Sequence, residues 1–96
     1  MRIMKDKIKN LLENALQPDH IQVEDESHRH RNHAEAQKHG GGHFKVCIVS
    51  AAFDGQPQLA RHRAVYAAAQ PLIDAGAIHA LRIKARTPQE WSQHNG

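Results

Sequence analysis

The stretch HFKVCIVS, residues 43–50, decides the fold. Its side chains alternate between two faces. One face is fully apolar and carries Phe44, Val46 and Ile48, and the other is mixed and carries Lys45, Cys47 and Val49. A period of two residues predicts a β-strand, because successive side chains of a strand point to opposite faces. Even the mixed face holds a cysteine and a valine. We therefore expect this strand at the centre of a sheet, where both of its faces are partly covered.

Two elements are predicted before this strand. Residues 2–17 carry apolar side chains at helical spacing, and Pro18 ends the predicted helix. The apolar stripe of this helix comprises Met4, Ile8, Leu11, Leu12, Ala15 and Leu16. Ile21, Val23 and Asp25 then alternate with polar residues, a pattern that predicts a half-exposed strand.

Three further elements are predicted after the central strand. Residues 58–75 form a helix that is closed by Gly76, and residues 77–85 alternate as a third strand. The apolar stripe of the helix comprises Leu59, His62, Val65, Tyr66, Ala69, Leu72 and Ile73. Thr87 and Glu90 have the spacing of a capping box, which predicts a short last helix.

The predicted order is helix, strand, strand, helix, strand, helix. This order is typical of an α+β fold in which helices pack on one small sheet. A chain of 96 residues has room for a single core, so we interpret residues 1–96 as one domain. Within it, residues 28–42 (HRHRNHAEAQKHGGG) lack apolar periodicity and predict a flexible loop rich in histidine and glycine.

The composition narrows the function classes. Thirteen basic and ten acidic residues give a net charge of +3, a mild excess with no continuous basic stripe. No apolar run reaches the roughly 20 residues that span a bilayer, so we expect no membrane partner. Cys47 is the only cysteine, which fits a reducing cytoplasm and rules out a four-thiolate metal site within one chain. Nine histidines are the unusual feature, because histidine is the commonest metal ligand.

Three separate segments resemble the BolA family. They are HFKVCIVSAAFDGQPQLARHRAVY (residues 43–66), IHALRIKARTPQEW (residues 78–91) and EDES (residues 24–27). The resemblance implies a class II KH-like fold, with helices over one face of a three-stranded mixed sheet. The Gly-x-x-Gly loop of nucleic-acid-binding KH domains is absent, since Gly55-Gln56-Pro57-Gln58 does not supply it.

The resemblance also implies a cofactor and a partner. BolA proteins pair with monothiol glutaredoxins, and the pair holds a bridging 2Fe–2S cluster that the isolated BolA chain lacks. The glutaredoxin cysteine and glutathione bind one iron, and two BolA side chains bind the other. These two map to His79 of the third strand and to His30 of the loop, with His28 and His33 as alternatives. A second copy of the chain, in a weak homodimer, is a further candidate partner.

The residues alone leave other roles open. Strand alternation puts His79 on the face of Leu81 and Ile83, where it is interpreted as a half-buried structural histidine. A neutral imidazole nevertheless suits iron, as in Rieske centres. We interpret His43 as shaping the return of the loop, and Cys47 as a small interior side chain.

Some BolA proteins are described as DNA-binding regulators of stress response and cell morphology, which gives an alternative function. The candidate contacts are basic residues of the second helix and of two strands: Lys45, Arg61, Arg63, Arg82 and Lys84. The alternative to a binding role is a structural one for the three residues Arg61, His62 and Arg63. Trp91 is interpreted as a lid over the core. The sequence contains no nucleophile elbow, phosphate loop or supported carboxylate pair, so we expect that the protein is not an enzyme.

Overall fold

The predicted order of elements is confirmed in the computed structural model, which describes residues 3–26 and 42–95. The described elements are α1 (Ile3–Leu16), β1 (His20–Asp25), β2 (Gly42–Val49), a 3₁₀ turn (Ala51–Phe53), α2 (Gln58–Asp74), β3 (Ile78–Arg86) and α3 (Pro88–Asn95). The predicted loop at 28–42 lies outside the described residues except for Gly42, which already belongs to β2.

The three strands form one mixed sheet in the order β1-β2-β3. β2 pairs antiparallel with β1 and parallel with β3, so that Val46 lies between Val23 and Ile83. The central position expected for β2 is therefore confirmed. The connection from β2 to β3 runs through α2, as a parallel pair requires a crossover.

One face of the sheet is covered and the other is largely open. Helices α1 and α2 pack against each other and against β1 and β3. Their buried side chains and those of the sheet form one aliphatic core, which includes Ile8, Leu12, Phe44, Val46, Ile48, Phe53, Val65, Ala69, Leu81 and Ala85. The opposite face, here called the open face, carries Glu24, Lys45, Cys47, Arg82 and Lys84, all exposed or half-buried.

Both predicted helix caps are confirmed. Gly76 has a φ of +78° and donates to the carbonyl of Ile73, while the N–H of Ala77 donates to Leu72. These two bonds are the Schellman arrangement, which favours glycine at the left-handed position. At α3, the Thr87 hydroxyl accepts from the Glu90 N–H at 3.1 Å and the Glu90 carboxylate accepts from the Thr87 N–H at 2.9 Å.

The buried side of α2 differs from the predicted stripe. Leu59 and Tyr66 were expected in the core but are exposed, and Arg61 is buried beside Val65 and Ala69. The cause is tertiary, because Arg61 finds hydrogen-bond partners in β3 and α3 that make its burial tolerable. Tyr66 still uses its hydroxyl, which donates to the carbonyl of Leu81 at 3.1 Å.

Candidate functional site

A β-bulge in β3 exposes His79. Gly42 pairs with Ile78 and the next residue, His43, pairs with Ala80, so His79 is the one extra residue of β3 at this point of the described pairing. Ile78 and Leu81 are consequently both buried although they are three residues apart. The prediction that His79 shares the half-buried face of Leu81 was therefore wrong, because a bulge shifts the alternation by one residue. Bulges of this kind often re-aim a side chain at a functional site.

A second histidine lies beside the bulge. The rings of His43 and His79 have centroids 5.2 Å apart and planes tilted by 54°. Sequence reasoning gave His43 only a role in the loop's return and so missed this pair. The available signal was that both predicted strands begin close to a histidine. Parallel neighbours bring their starts to the same edge of a sheet, but the pairing itself had to be known.

His30 and its alternatives His28 and His33 lie outside the described residues. The segment that contains them joins Glu26 to Gly42, so both of its ends meet the described structure at the end of the sheet that carries His43 and His79. Their role as ligands stays a prediction.

Cys47 does not belong to this group. It shares the open face with Lys45, but it lies four residues along β2 from His43, or about 13 Å at the rise of a strand. Its side chain is half-buried in mid-strand. Among the residues described, no set of three or more histidine, cysteine or acidic side chains is close enough to hold a metal ion.

The buried carboxylate of Glu26 closes this end of the sheet. One guanidinium nitrogen of Arg82 donates to both oxygens of Glu26, at 3.1 and 3.2 Å. The N–H of Glu26 donates to the carbonyl of His43 at 2.7 Å. Glu26 therefore joins the end of β1 to the start of β2 and to β3.

The other end of β3 is closed by Arg61. Its guanidinium donates to the carbonyls of Gln56 and Ala85, at 2.8 and 3.1 Å, and to both oxygens of Glu90, at 2.7 and 3.1 Å. The hydrogen bond to Glu90 raises the pKa of Arg61. The bonds from Arg61 and from the Thr87 backbone lower the pKa of Glu90 from 4.5 to about 2. These contacts favour the structural role for Arg61.

The five basic candidates for DNA contact lie on two sides of the sheet. Lys45, Arg82 and Lys84 project from the open face, whereas Arg61 and Arg63 belong to α2 on the covered face. Two of the open-face residues already have acidic partners. The Lys45 Nζ lies 3.9 Å from a carboxylate oxygen of Glu24, and the Arg82 guanidinium binds the carboxylate of Glu26. DNA binding by these residues stays a prediction.

Trp91 packs at the far end of the sheet from the histidine pair. Its ring stacks on His20, with centroids 4.8 Å apart and planes 20° from parallel. Trp91 is half-buried, so it anchors α3 against the start of β1. None of the described helices has the length and apolar character needed to cross a membrane.

Comparison with known proteins finds one family. The family model for BolA-like protein matches residues 12–90. BolA-like protein 1 of Bos taurus is 39% identical over 87 residues, which cover 91% of this chain and 61% of that protein. The chain thus spans about three fifths of the length of this relative.

Two solved structures have the same fold over nearly the whole chain. A bol-like protein from Babesia bovis matches with a TM-score of 0.78 and 30% identity, covering 96% of this chain and 93% of that one. The BolA domain of SufE1 from Arabidopsis thaliana matches with a TM-score of 0.75 and 39% identity, covering 88% of this chain and 92% of that one.

Proposed function

The chain belongs to the BolA family, and we propose that it is an iron–sulfur adaptor that binds a monothiol glutaredoxin. In this proposal it co-ligates a bridging 2Fe–2S cluster with the glutaredoxin cysteine and glutathione. Its role is cluster assembly, cluster transfer or iron sensing in the cytoplasm, and it acts as a binding protein without catalysis. The observation that carries the proposal is the β-bulge that exposes His79 beside His43.

The donor set of the described residues fits such a cluster. Neutral imidazoles replace two thiolates on one iron of Rieske-type clusters, and the replacement raises the reduction potential. His79 is held by a strand that is hydrogen-bonded to β2, so its position is fixed before a partner arrives. The cluster itself would supply the iron and sulfide that are transferred or sensed.

A second ligand from this chain has four candidates. His30 is the first candidate by resemblance, with His28 and His33 as alternatives, and His43 joins them because its ring neighbours His79. His43 differs from the others in lying at the start of a paired strand, whereas the others belong to the segment between Glu26 and Gly42. Substituting each candidate in turn will decide between them.

The test is reconstitution of the pair. The protein is mixed with a monothiol glutaredoxin, iron, sulfide and glutathione, and the absorption and visible circular dichroism spectra are recorded. We expect a cluster spectrum that differs from that of either protein alone. We expect His79→Ala to abolish it while thermal unfolding stays cooperative, because an exposed bulge residue contributes little to the core.

The controls separate ligation from folding. His20→Ala removes an exposed histidine at the opposite end of the sheet and should leave the spectrum unchanged. His30→Ala should weaken or alter the cluster rather than abolish it, because neighbouring histidines can substitute for it. A His79→Ala variant with an unchanged spectrum and unchanged retention against chelator would refute the assignment. Loss of cooperative unfolding in this variant would favour a structural histidine instead.

A further inference from the structure

We propose that Glu26 and Arg82 form a positioning bridge that holds the His43–His79 pair in place. Glu26 follows β1 directly and is the last described residue before the segment that carries the loop histidines. Arg82 lies on β3 three residues after His79. The bridge joins the two outer strands of the sheet, and its consequence for cluster binding rests on the proposed function.

The path of the bridge brings it across β2 beside His43. Arg82 pairs with Lys45 in the register, whereas Glu26 hydrogen-bonds to His43, two residues from Lys45 along β2. The outer strands of a three-stranded sheet are roughly 10 Å apart, so the two side chains must meet over the central strand. By alternation, His43 and Lys45 both project from this face of β2. The bridge therefore crosses the open face between these two side chains.

The same glutamate also fixes the backbone of His43. The backbone N–H of Glu26 donates to the carbonyl of His43 at 2.7 Å. A movement of Glu26 therefore displaces the start of β2. The start of β2 is the strand segment that pairs with the bulge containing His79. A shift of Glu26 is thus transmitted to both histidines through one hydrogen bond and one strand pairing.

Only the Glu26 half of the bridge is buried, and a buried carboxylate requires a partner. The Glu26 side chain is only 7% exposed, whereas the Arg82 side chain is 61% exposed. A carboxylate removed from water needs a charged or hydrogen-bonding partner, and it moves towards water when that partner is lost. One guanidinium nitrogen of Arg82 donates to both carboxylate oxygens of Glu26, while the rest of the Arg82 side chain stays largely exposed.

The inference is tested first on the free protein by NMR. The rings of His43 and His79 are close enough to give a ring-to-ring cross-peak. We expect Glu26→Gln and Arg82→Gln each to abolish that cross-peak and shift both ring resonances. Glu24→Gln is the matched control, because Glu24 lies on the same face and pairs with Lys45 but is half exposed. The control should leave the pair unchanged.

The double variant Glu26→Gln/Arg82→Gln distinguishes a bridge from two independent sites. Arg82→Gln removes the positive charge beside a buried carboxylate, whereas the double variant removes both charges together, so we expect the double variant to recover part of the cross-peak. Retention of the wild-type cross-peak in either single variant would overturn the inference. So would shifts in the double variant that equal the sum of the single shifts. Resonances of His20 and Trp91 serve to verify that each variant is folded.

The second test uses the reconstituted glutaredoxin complex. We expect Glu26→Gln to lose its cluster to a chelator roughly tenfold faster than the wild type, the usual size of an outer-ligand effect. Equal rates in Glu26→Gln and Glu24→Gln would overturn the functional part of the inference. If the wild-type protein forms no cluster, the proposed function fails, and the NMR result still decides whether the bridge positions the pair.

Discussion

The two ends of β3 are closed by ion pairs of opposite design. At the histidine end, formed by Glu26, His43, His79 and Arg82, the buried group is a carboxylate and the exposed one a guanidinium. At the arginine end, formed by Arg61, Thr87 and Glu90, the buried group is a guanidinium, with a side chain 7% exposed, and the carboxylate is 41% exposed. Both pairs join elements that are distant in sequence.

The two ion pairs differ in the contacts of their buried group, and we infer that they differ in role. Arg61 donates to two backbone carbonyls as well as to Glu90, so its buried donors are satisfied from three directions. The Glu26 carboxylate accepts from Arg82, whose side chain stays largely in water, and the Glu26 N–H binds His43 beside the bulge in the described β2–β3 pairing. The arginine end therefore serves stability, and the histidine end leaves an imidazole accessible.

Among the variants considered for this comparison, loss of the buried Arg61 guanidinium should lower the free energy of unfolding the most. Arg61→Ala leaves the Ala85 carbonyl without its donor and opens a cavity between α2 and α3. We expect the free energy of unfolding to fall by about 3 kcal/mol. Urea unfolding measures the loss. Arg63→Ala, an exposed neighbour on the same helix, should change it by less than about 0.5 kcal/mol. Equal losses in the two variants would mean that the arginine end is not an anchor.

Acid should weaken the arginine end in a defined pH range. The folded-state pKa of Glu90 lies near 2, below its ordinary 4.5, so its stabilising contribution is complete above pH 4.5. The contribution is lost as the pH falls from 4.5 through 2, because the unfolded state then binds the proton first. Unfolding free energies of the wild type and Glu90→Gln, measured between pH 7 and pH 2, should converge in this range. A difference that stays constant with pH would contradict the prediction.

A smaller effect is expected where α3 meets the sheet. His20→Ala removes the ring that stacks on Trp91, and we expect a loss of about 1 kcal/mol in the free energy of unfolding. His20→Phe keeps a stacking ring and should retain most of the stability. Thermal unfolding of both variants measures the contrast. If both variants lose the same amount, the stack does not anchor α3.

Local patterns were sufficient for the order of elements. The alternation in 43–50 predicted a central strand, and the spacing of Thr87 and Glu90 predicted the cap of α3. Gly76 was likewise predicted at the end of α2, where its φ is positive. Each of these features depends on residues close together in the chain, whose conformational preferences a short window of sequence contains.

Only the tertiary structure decided the surroundings of the candidate site. Strand alternation alone put His79 on the wrong face, because the bulge depends on pairing with Gly42 and His43, more than thirty residues away. The buried position of Arg61 depends in the same way on Glu90, a partner in another helix. The sequence by itself determined which elements form and which histidines are available. The pairing of the strands decided which of the described histidines meet, since contacts between distant residues arise only when the chain packs.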